Sequence, residues 1–479
     1  MAPLLSYGLV ATSCLCLFPA ANGAPASVPA SKSATSTVHV RAPVPEPQLI
    51  GGLVGGLVGT VGTLTKPLLD VLDQTLNDIL HPQPTILPQS IDDILSFLQV
   101  RYQNKNNTGY VDNGKDYALN GVLSKITGAQ GLLGATINEG SLSINSFTNS
   151  NPAPPKTIYP QSATSDPKFS VSESVLRSAI FIPPTFKADK APNPVLLIPG
   201  TATMGGVNFD GNFAKILSDG KIAQPLWLNV PTALLQDAQI SVEYIAYAIN
   251  YVKAITGNKV NVIAWSQGNL DTQWALKYFP SVRESAKQLI SVSPDFHGST
   301  LANIVDLGTD VGLVPMTPAF LQQEYNSAYV AKLRGNNGDS AYIPTTTFYS
   351  AVFDEIVQPQ SGTGASAFIK DVRGVGVSNN EIQSVCGATP AGAIGTHESL
   401  LFNGFVVSLA LEALKKGKAV QASEIDLQKA CQLAVYPGLN LIDVLETEAL
   451  IPLAGVNILQ YIKAGLGITV EPKLKAYAQ

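Results

Sequence analysis

The chain has 479 residues, of which 45% are hydrophobic and 14% charged, against about 25% charged in a typical soluble protein. That balance excludes a disordered or heavily solvated chain, and the 40 Gly and 33 Pro follow no Gly-X-Y period, which excludes collagen. With a formal net charge of −5 and no block of Lys or Arg, no nucleic-acid partner is expected, because such binding rests on clustered basic charge. A large core under a weakly charged surface suits extracellular work on apolar substrates.

In chain order, Leu4 to Phe18 form an apolar run that is shorter than the roughly 20 residues of a membrane-spanning helix. Ala21 and Gly23 stand at −3 and −1 of a cleavage point before Ala24. Residues 1–23 therefore read as a signal peptide and the protein as secreted, although no Lys or Arg precedes the apolar run. The alternative is a buried N-terminal helix. Residues 24–47, rich in Ala, Ser, Thr and Pro, read as a flexible stalk. Leu49 to Leu64 carry a small residue about every fourth position, a spacing that permits close helix packing. Leu68, Leu69, Leu72, Leu76, Ile79 and Leu80 then keep helical spacing, as do Ile91, Ile94, Leu95 and Leu98 after Pro88. Residues 48–150 are thus expected to be a largely helical extension, a pro-segment or a lid. The acceptor sequon at Asn106 predicts a glycosylated surface loop within it.

Residues 151–167 read as a Pro, Ser and Asn-rich linker. From 168 to 479 strands and helices alternate. Strands are predicted at Val195–Ile198, Leu226–Val230, Val260–Trp265, Leu289–Val292 and Thr345–Phe353. Helices are predicted at Asn208–Ser218, Ala238–Ile255, Leu270–Phe279 and Leu400–Leu414. This is the pattern of an α/β fold with a mostly parallel sheet flanked by helices. Cys14 and Cys16 leave with the signal peptide, so Cys386 and Cys431 remain as a pair. In an oxidising compartment they read as a disulfide, worth about 4 kcal/mol in the chain-entropy model; two buried free thiols are the alternative. No Cys or His cluster has metal spacing, and neither a metal nor another cofactor is expected.

Ala264-Trp265-Ser266-Gln267-Gly268 lies between a predicted strand and a predicted helix. It is a G-x-S-x-G nucleophile elbow with Ala in the first position, and small neighbours are needed because the nucleophile's backbone is strained. In such folds the triad runs Ser, then Asp or Glu, then His. Of the four His, only His297 and His397 follow Ser266. His397, in a Gly-rich stretch before a helix, is preferred as the base; His297 is placed near the same end of the sheet. Asp354, after the predicted strand 345–353, is the candidate acid, with Glu355 expected to point elsewhere. The backbone N–H of Gln267 and the loop Pro199-Gly200-Thr201 are the candidate oxyanion donors.

Several segments resemble lipase B of Candida antarctica and its fungal relatives. They are VLLIPGTATMG (195–205), AWSQG (264–268), FPSVR (279–283), SPDFHGST (293–300), FLQQ (320–323), DEIVQPQ (354–360), VCG (385–387) and EPKLKAYA (471–478). The resemblance covers 165–479 and leaves 24–150 without a counterpart in the mature enzyme. It implies an α/β-hydrolase with a Ser266–His397–Asp354 triad, and it implies that Thr201 supplies backbone and hydroxyl donors alongside Gln267. It further implies that Asp295 and Gln323 line a narrow site with Trp265 beneath the alcohol part of the substrate. Cys386–Cys431 matches one family disulfide, and Leu441–Ile462 resemble the helix that borders the acyl pocket, with Leu453, Ile458 and Leu459 altering its wall. The reading is a secreted serine ester hydrolase, a lipase or carboxylesterase that takes lipid or ester substrates. The alternatives are an acyltransferase or polyester hydrolase with the same triad, or a non-catalytic binding protein on this scaffold.

Overall fold

The computed structural model describes residues 74, 88–103, 143–191, 193–300, 302, 315–351 and 353–479, all within the unit Val44–Gln479. The expected signal peptide, the stalk, the run 49–64, the apolar repeat Leu68 to Leu80 apart from residue 74, His39, His81 and the sequon at Asn106 lie outside the described residues.

Among the described residues seven strands form one sheet: β1 (Ile180–Phe181), β2 (Pro194–Ile198), β3 (Gln224–Leu228), β4 (Val260–Trp265), β5 (Ala286–Val292), β6 (Thr345–Tyr349) and β7 (Val377–Glu381). Their spatial order is β1-β3-β2-β4-β5-β6-β7. Only the edge strand β1 is antiparallel, to β3; all other pairs are parallel. Successive side chains point to opposite faces. Leu196, Val262 and Leu289 pack on one side with α4 (Ala238–Thr256) and α5 (Gln267–Tyr278). Val195, Leu197, Ile263 and Ile290 pack on the other with α3 (Phe213–Asp219) and α7 (Gly404–Lys416). Both faces are buried, so β2 reads as a continuous apolar run, and β4 as one broken only by Asn261, rather than as alternating ones. β7, Val-Ser-Asn-Asn-Glu, is an edge strand without that signal.

Several predicted elements change at their ends for local reasons. The helix expected over 208–218 is two helices, α2 (Gly205–Phe209) and α3. A Cβ at Gly211 would lie 2.7 Å from the Asp443 carbonyl, and Asn212 restarts the helix by accepting the Phe213 N–H. The strand expected to reach Phe353 stops at Tyr349. The helix expected from Leu400 begins at Gly404, where Asn403 caps the Phe405 and Val406 N–H groups. The segment 441–462 divides at Ala449 into α8 (Leu441–Glu448) and α9 (Leu450–Lys463).

Residues 143–167 are stitched onto the sheet unit. Asn145 Oδ1 accepts the Val207 N–H, and Trp227 Nε1 donates to the Ile144 carbonyl. Asn149 and Asn151 donate to the carbonyls of Ser178, Arg177 and Ile180. In the expected linker, Asp166 accepts the Ser281 N–H and the Tyr251 hydroxyl donates to the Pro152 carbonyl. The Asn and Asp side chains there satisfy backbone groups that a free segment would leave to water. Upstream, α1 (Ile91–Gln103) starts on a Ser90/Asp93 box, with Asp93 accepting the Ser90 N–H and Ser90 Oγ accepting the Asp93 N–H. Its Ile94 and Leu98 are fully buried. They share an apolar cluster with Ala202, Leu321, Val444 and Leu453, drawn from the loop after β2, α6 (Pro318–Gln322), α8 and α9. Cys386 and Cys431 form a disulfide.

Candidate active site

The chain leaves β4 at Trp265 and enters α5 at Gln267, which places Ser266 at the turn with φ 52° and ψ −132°. A positive φ is costly for a residue with a Cβ. The turn is possible because Gly268 is small: a Cβ there would lie 2.4 Å from the Pro199 carbonyl. Gly200 allows the second close approach, since a Cβ on it would fall 2.6 Å from Trp265 Cε3 and 2.8 Å from Ser266 Cβ. The elbow thus presents Ser266 Oγ at the carboxyl ends of the parallel strands, where open α/β sheets collect their reactive groups.

His397 Nε2 lies 2.8 Å from Ser266 Oγ. Its Nδ1 lies 3.0 Å and 3.1 Å from the two oxygens of Asp354. A carboxylate opposite Nδ1 keeps the proton there, so Nε2 accepts from the serine hydroxyl. All three side chains are at most 4% exposed. Burial depresses the His397 imidazolium, but Asp354, with Glu355 and Asp295 behind it, outweighs burial and the pKa stands above the usual histidine value. Asp354 lies in the loop beyond β6, several residues after the strand ends, and is fixed there by the Ile356 and Val357 N–H groups at 3.0 Å and 2.7 Å. The backbone of His397 is held as firmly. Its carbonyl accepts from Trp265 Nε1 at 3.0 Å and Ser293 Oγ at 2.7 Å, and its N–H donates to Glu355 Oε2 at 3.1 Å. Glu355 therefore reaches the site it was expected to avoid. Adjacent residues on a loop, unlike those on a strand, need not point to opposite faces, and this placement had no sequence signal.

His297 is brought elsewhere. It is buried after β5, its Nε2 has no hydrogen-bond partner, and burial pushes its pKa down to about 4.

Gln267 is the first residue of α5, where the backbone N–H has no intrahelical acceptor and points outward from the helix end. Thr201 follows β2 and its hydroxyl donates to Gln323 Oε1 at 3.0 Å. That loop is pinned by the Gly200 N–H on Asn208 Oδ1 at 3.0 Å and by Asn457 Nδ2 on the Ala202 carbonyl at 2.7 Å. Gln323 Nε2 donates to Gln267 Oε1 at 3.1 Å, so the three residues form one cluster. Trp265 is buried under Gly200, with its ring centroid 5.1 Å from that of His397. Asp295 is buried after β5, and burial pushes its carboxyl up to about 7. Ser266, His397, Asp354, Thr201, Gln267, Gln323 and Trp265 are thus linked by contacts around one point, and the charges of His397 and Asp354 act on Asp295.

No protein-family model matches the chain. Among known proteins the chain is similar to lipase B of Pseudozyma antarctica, with 37% identity over 226 residues, or 47% of this chain. That match spans 62% of the length of the relative. Among solved structures it is similar to lipase B of Aspergillus fumigatus, at 35% identity and a TM-score of 0.73, covering 90% of this chain and 99% of that one. Residues 151–479 alone are about two-thirds of the sequence. A match over 90% of the chain therefore extends beyond residues 151–479.

Proposed function

Because the chain belongs to the fungal lipase B family of α/β-hydrolases, a family of carboxylic ester hydrolases, we propose that it is a secreted serine ester hydrolase, a lipase of acylglycerols working through an acyl-enzyme. Ser266 Oγ attacks the ester carbonyl carbon while His397 Nε2 takes the hydroxyl proton. The carbonyl oxygen, now an oxyanion, is held by the Gln267 N–H and by the Thr201 N–H and hydroxyl. Collapse breaks the ester C–O bond, and His397 returns the proton to the departing alcohol. Water, deprotonated by His397, then attacks the acyl-Ser266 carbonyl; collapse breaks the acyl C–Oγ bond and releases the acid as His397 returns the proton to Ser266 Oγ. Asp354 keeps the tautomer and stabilises the imidazolium at each proton transfer. Each oxyanion donor contributes about 3 kcal/mol to the transition state.

One observation carries this reading: the 2.8 Å and 3.0 Å contacts that align Ser266, His397 and Asp354. Its test is the S266A variant. Turnover of a p-nitrophenyl ester should fall by about 10⁵-fold or more, and a fluorophosphonate should label the parent but not the variant. An unlabelled parent, or undiminished turnover, would overturn the proposal.

The extension is proposed as a lid. Ile94 and Leu98 of α1 are buried with Ala202 beside the oxyanion loop and with Leu453 of α9, the helix that resembles the acyl-pocket wall. A helix there covers apolar surface that an acyl chain would otherwise use. Residues 1–23 are proposed as a cleaved secretion signal, and the mass of the secreted protein, starting at Ala24, tests it. Among the described residues no helix is long and apolar enough to cross a membrane.

A further inference from the structure

The oxyanion side of the site hangs on a chain of hydrogen bonds that ends on a buried acid. Thr201 donates to Gln323 Oε1 at 3.0 Å. Gln323 Nε2 donates to Gln267 Oε1 at 3.1 Å and to the Ala319 carbonyl at 3.0 Å. Gln267 Nε2 donates in turn to the Leu234 carbonyl and to Asp271 Oδ2, both at 3.1 Å. The Tyr329 hydroxyl donates to Asp271 Oδ1 at 3.1 Å, and its ring is locked on Trp274, with centroids 3.9 Å apart and planes 7° from parallel. Gln267, Asp271 and Tyr329 are fully buried.

This pattern gives each amide one direction. A flipped Gln267 would set its oxygen against the Leu234 carbonyl and Asp271, both acceptors, at the cost of unpaired buried groups. Gln323 would then meet an NH2 group instead of Oε1, and would turn its own NH2 group to Thr201. The Thr201 hydroxyl would become an acceptor there. With the polarity that the structure shows, Thr201 Oγ1 is a donor, free to swing its hydrogen from Gln323 Oε1 to an oxyanion while the Oγ1 atom stays in place.

We propose that Asp271, one helical turn after Gln267 on α5, is a positioning residue for the oxyanion hole: by accepting from Gln267 it fixes, through Gln323, the place and donor role of the Thr201 hydroxyl. Its hydrogen-bond partners are Gln267 and Tyr329, and the neighbouring charges that act on it are Asp295 and Asp237. Burial, with the Asp295 charge second, holds its carboxyl well above the usual carboxylate range. Asparagine can copy the contact, with its Oδ1 accepting from Gln267 Nε2 and its Nδ2 facing the Tyr329 hydroxyl.

The inference rests on the ester-hydrolase reading, and active-site titration with a fluorophosphonate separates the two: an unlabelled parent sinks that reading, whereas a labelled parent leaves only this inference at stake. In D271L, folded by circular dichroism, kcat should fall about tenfold with KM within about twofold, and a trifluoromethyl ketone should bind about tenfold more weakly. D271N should recover most of the lost kcat. D271L added to T201V should cost nothing beyond T201V alone, because both act through one hydroxyl. A merely structural Asp271 would lower Tm but leave the kcat of the folded protein and the ketone affinity unmoved, and that result overturns the proposal. So does an additive double variant, or a D271N as slow as D271L. Should D271L fail to fold, D271S, which leaves room for water, is read against the same outcomes.

Discussion

Two regions meet at the loop after β2, and they are built on opposite principles. The catalytic side rests on turns and loops after β2, β4 and β6, where single atoms are fixed by several hydrogen bonds each, as Asp354 is by two N–H groups and His397. The opposite wall is apolar and comes from four distant pieces: α1, the loop after β2, α6 and the pair α8–α9. The first region needs particular elements at particular atoms and fails when one is lost. The second needs aliphatic volume, and well-packed cores accept swaps of similar volume at a cost below about 1.5 kcal/mol. Brittleness and tolerance should therefore lie side by side in one site.

The largest test of that contrast is D354N. The amide still accepts the Ile356 and Val357 N–H groups through Oδ1, so the loop holds, but its NH2 group favours the wrong histidine tautomer. We expect kcat on a soluble ester to fall about 10⁴-fold with an unchanged circular dichroism spectrum; a fall below tenfold would make the catalytic side as tolerant as the wall. Next comes G268A. Its Cβ would press on backbone, the Pro199 carbonyl, which cannot swing aside. It should cost about 3 kcal/mol in urea unfolding and at least about tenfold in kcat, because the oxyanion loop moves with Pro199. L453M on the wall should change both by less than about threefold. If G268A behaves like L453M, the two regions do not differ.

The same contrast explains what was legible in the sequence. The elbow was readable because a strained turn demands small residues at fixed offsets from Ser266, and elimination among four His left two candidates. The parallel core was readable because β2, and β4 apart from Asn261, are apolar on both faces. Glu355 and Asp271 were not. Their roles depend on which backbone or amide lies opposite, and no local pattern encodes that. The broken helix at Gly211 was hidden for a related reason: the clash that forbids a side chain comes from Asp443, far away in sequence. The wall was least legible of all, since aliphatic residues at helical spacing, such as Ile94 and Leu98, describe any buried helix. The disulfide, by contrast, needed only a count of cysteines and the reading of residues 1–23 as a signal peptide.

A smaller effect is expected from the wall itself. Replacing both Ile94 and Leu98 with Asp places charge on the buried face of α1 and should expel it while leaving residues 143–167 stitched to the sheet. A removal at residue 160 would cut those contacts and confuse lid loss with unfolding. If α1 is a lid, I94D/L98D should raise turnover of a dissolved short-chain ester about fivefold and reduce the further gain on an emulsion. Equal activity and an equal response to the emulsion would make α1 a structural part of the wall.

The smallest effect separates the two regions by pH. Burial pushes Asp295, on the catalytic side, and Glu446, on α8 of the wall, up to about 7, and holds Glu355 and Glu398 well above the carboxylate range. A group whose pKa is higher in the folded than in the unfolded chain binds its proton more tightly when folded. Its stabilisation is complete below the unfolded value, near 4 for these acids, and is lost as pH rises through the folded value. Raised His397 has the same sign, with its window starting at the ordinary histidine value. Depressed His297 opposes this trend up to its ordinary value, but it is one group against these four acids, so stability should decline from pH 5 to pH 8, opposite to the trend of a protein held by exposed ion pairs. Water around half-buried Glu446 discounts its share, so we expect a Tm about 5 °C higher at pH 5, read by calorimetry. Activity should move the other way, because attack needs neutral His397 and so gains above its raised pKa. D295N should flatten the stability slope from the catalytic side and E446Q from the wall. Whichever variant removes more of the slope identifies the region that has more charge to lose on burial. A Tm independent of pH across this range would mean that neither region holds its acids protonated.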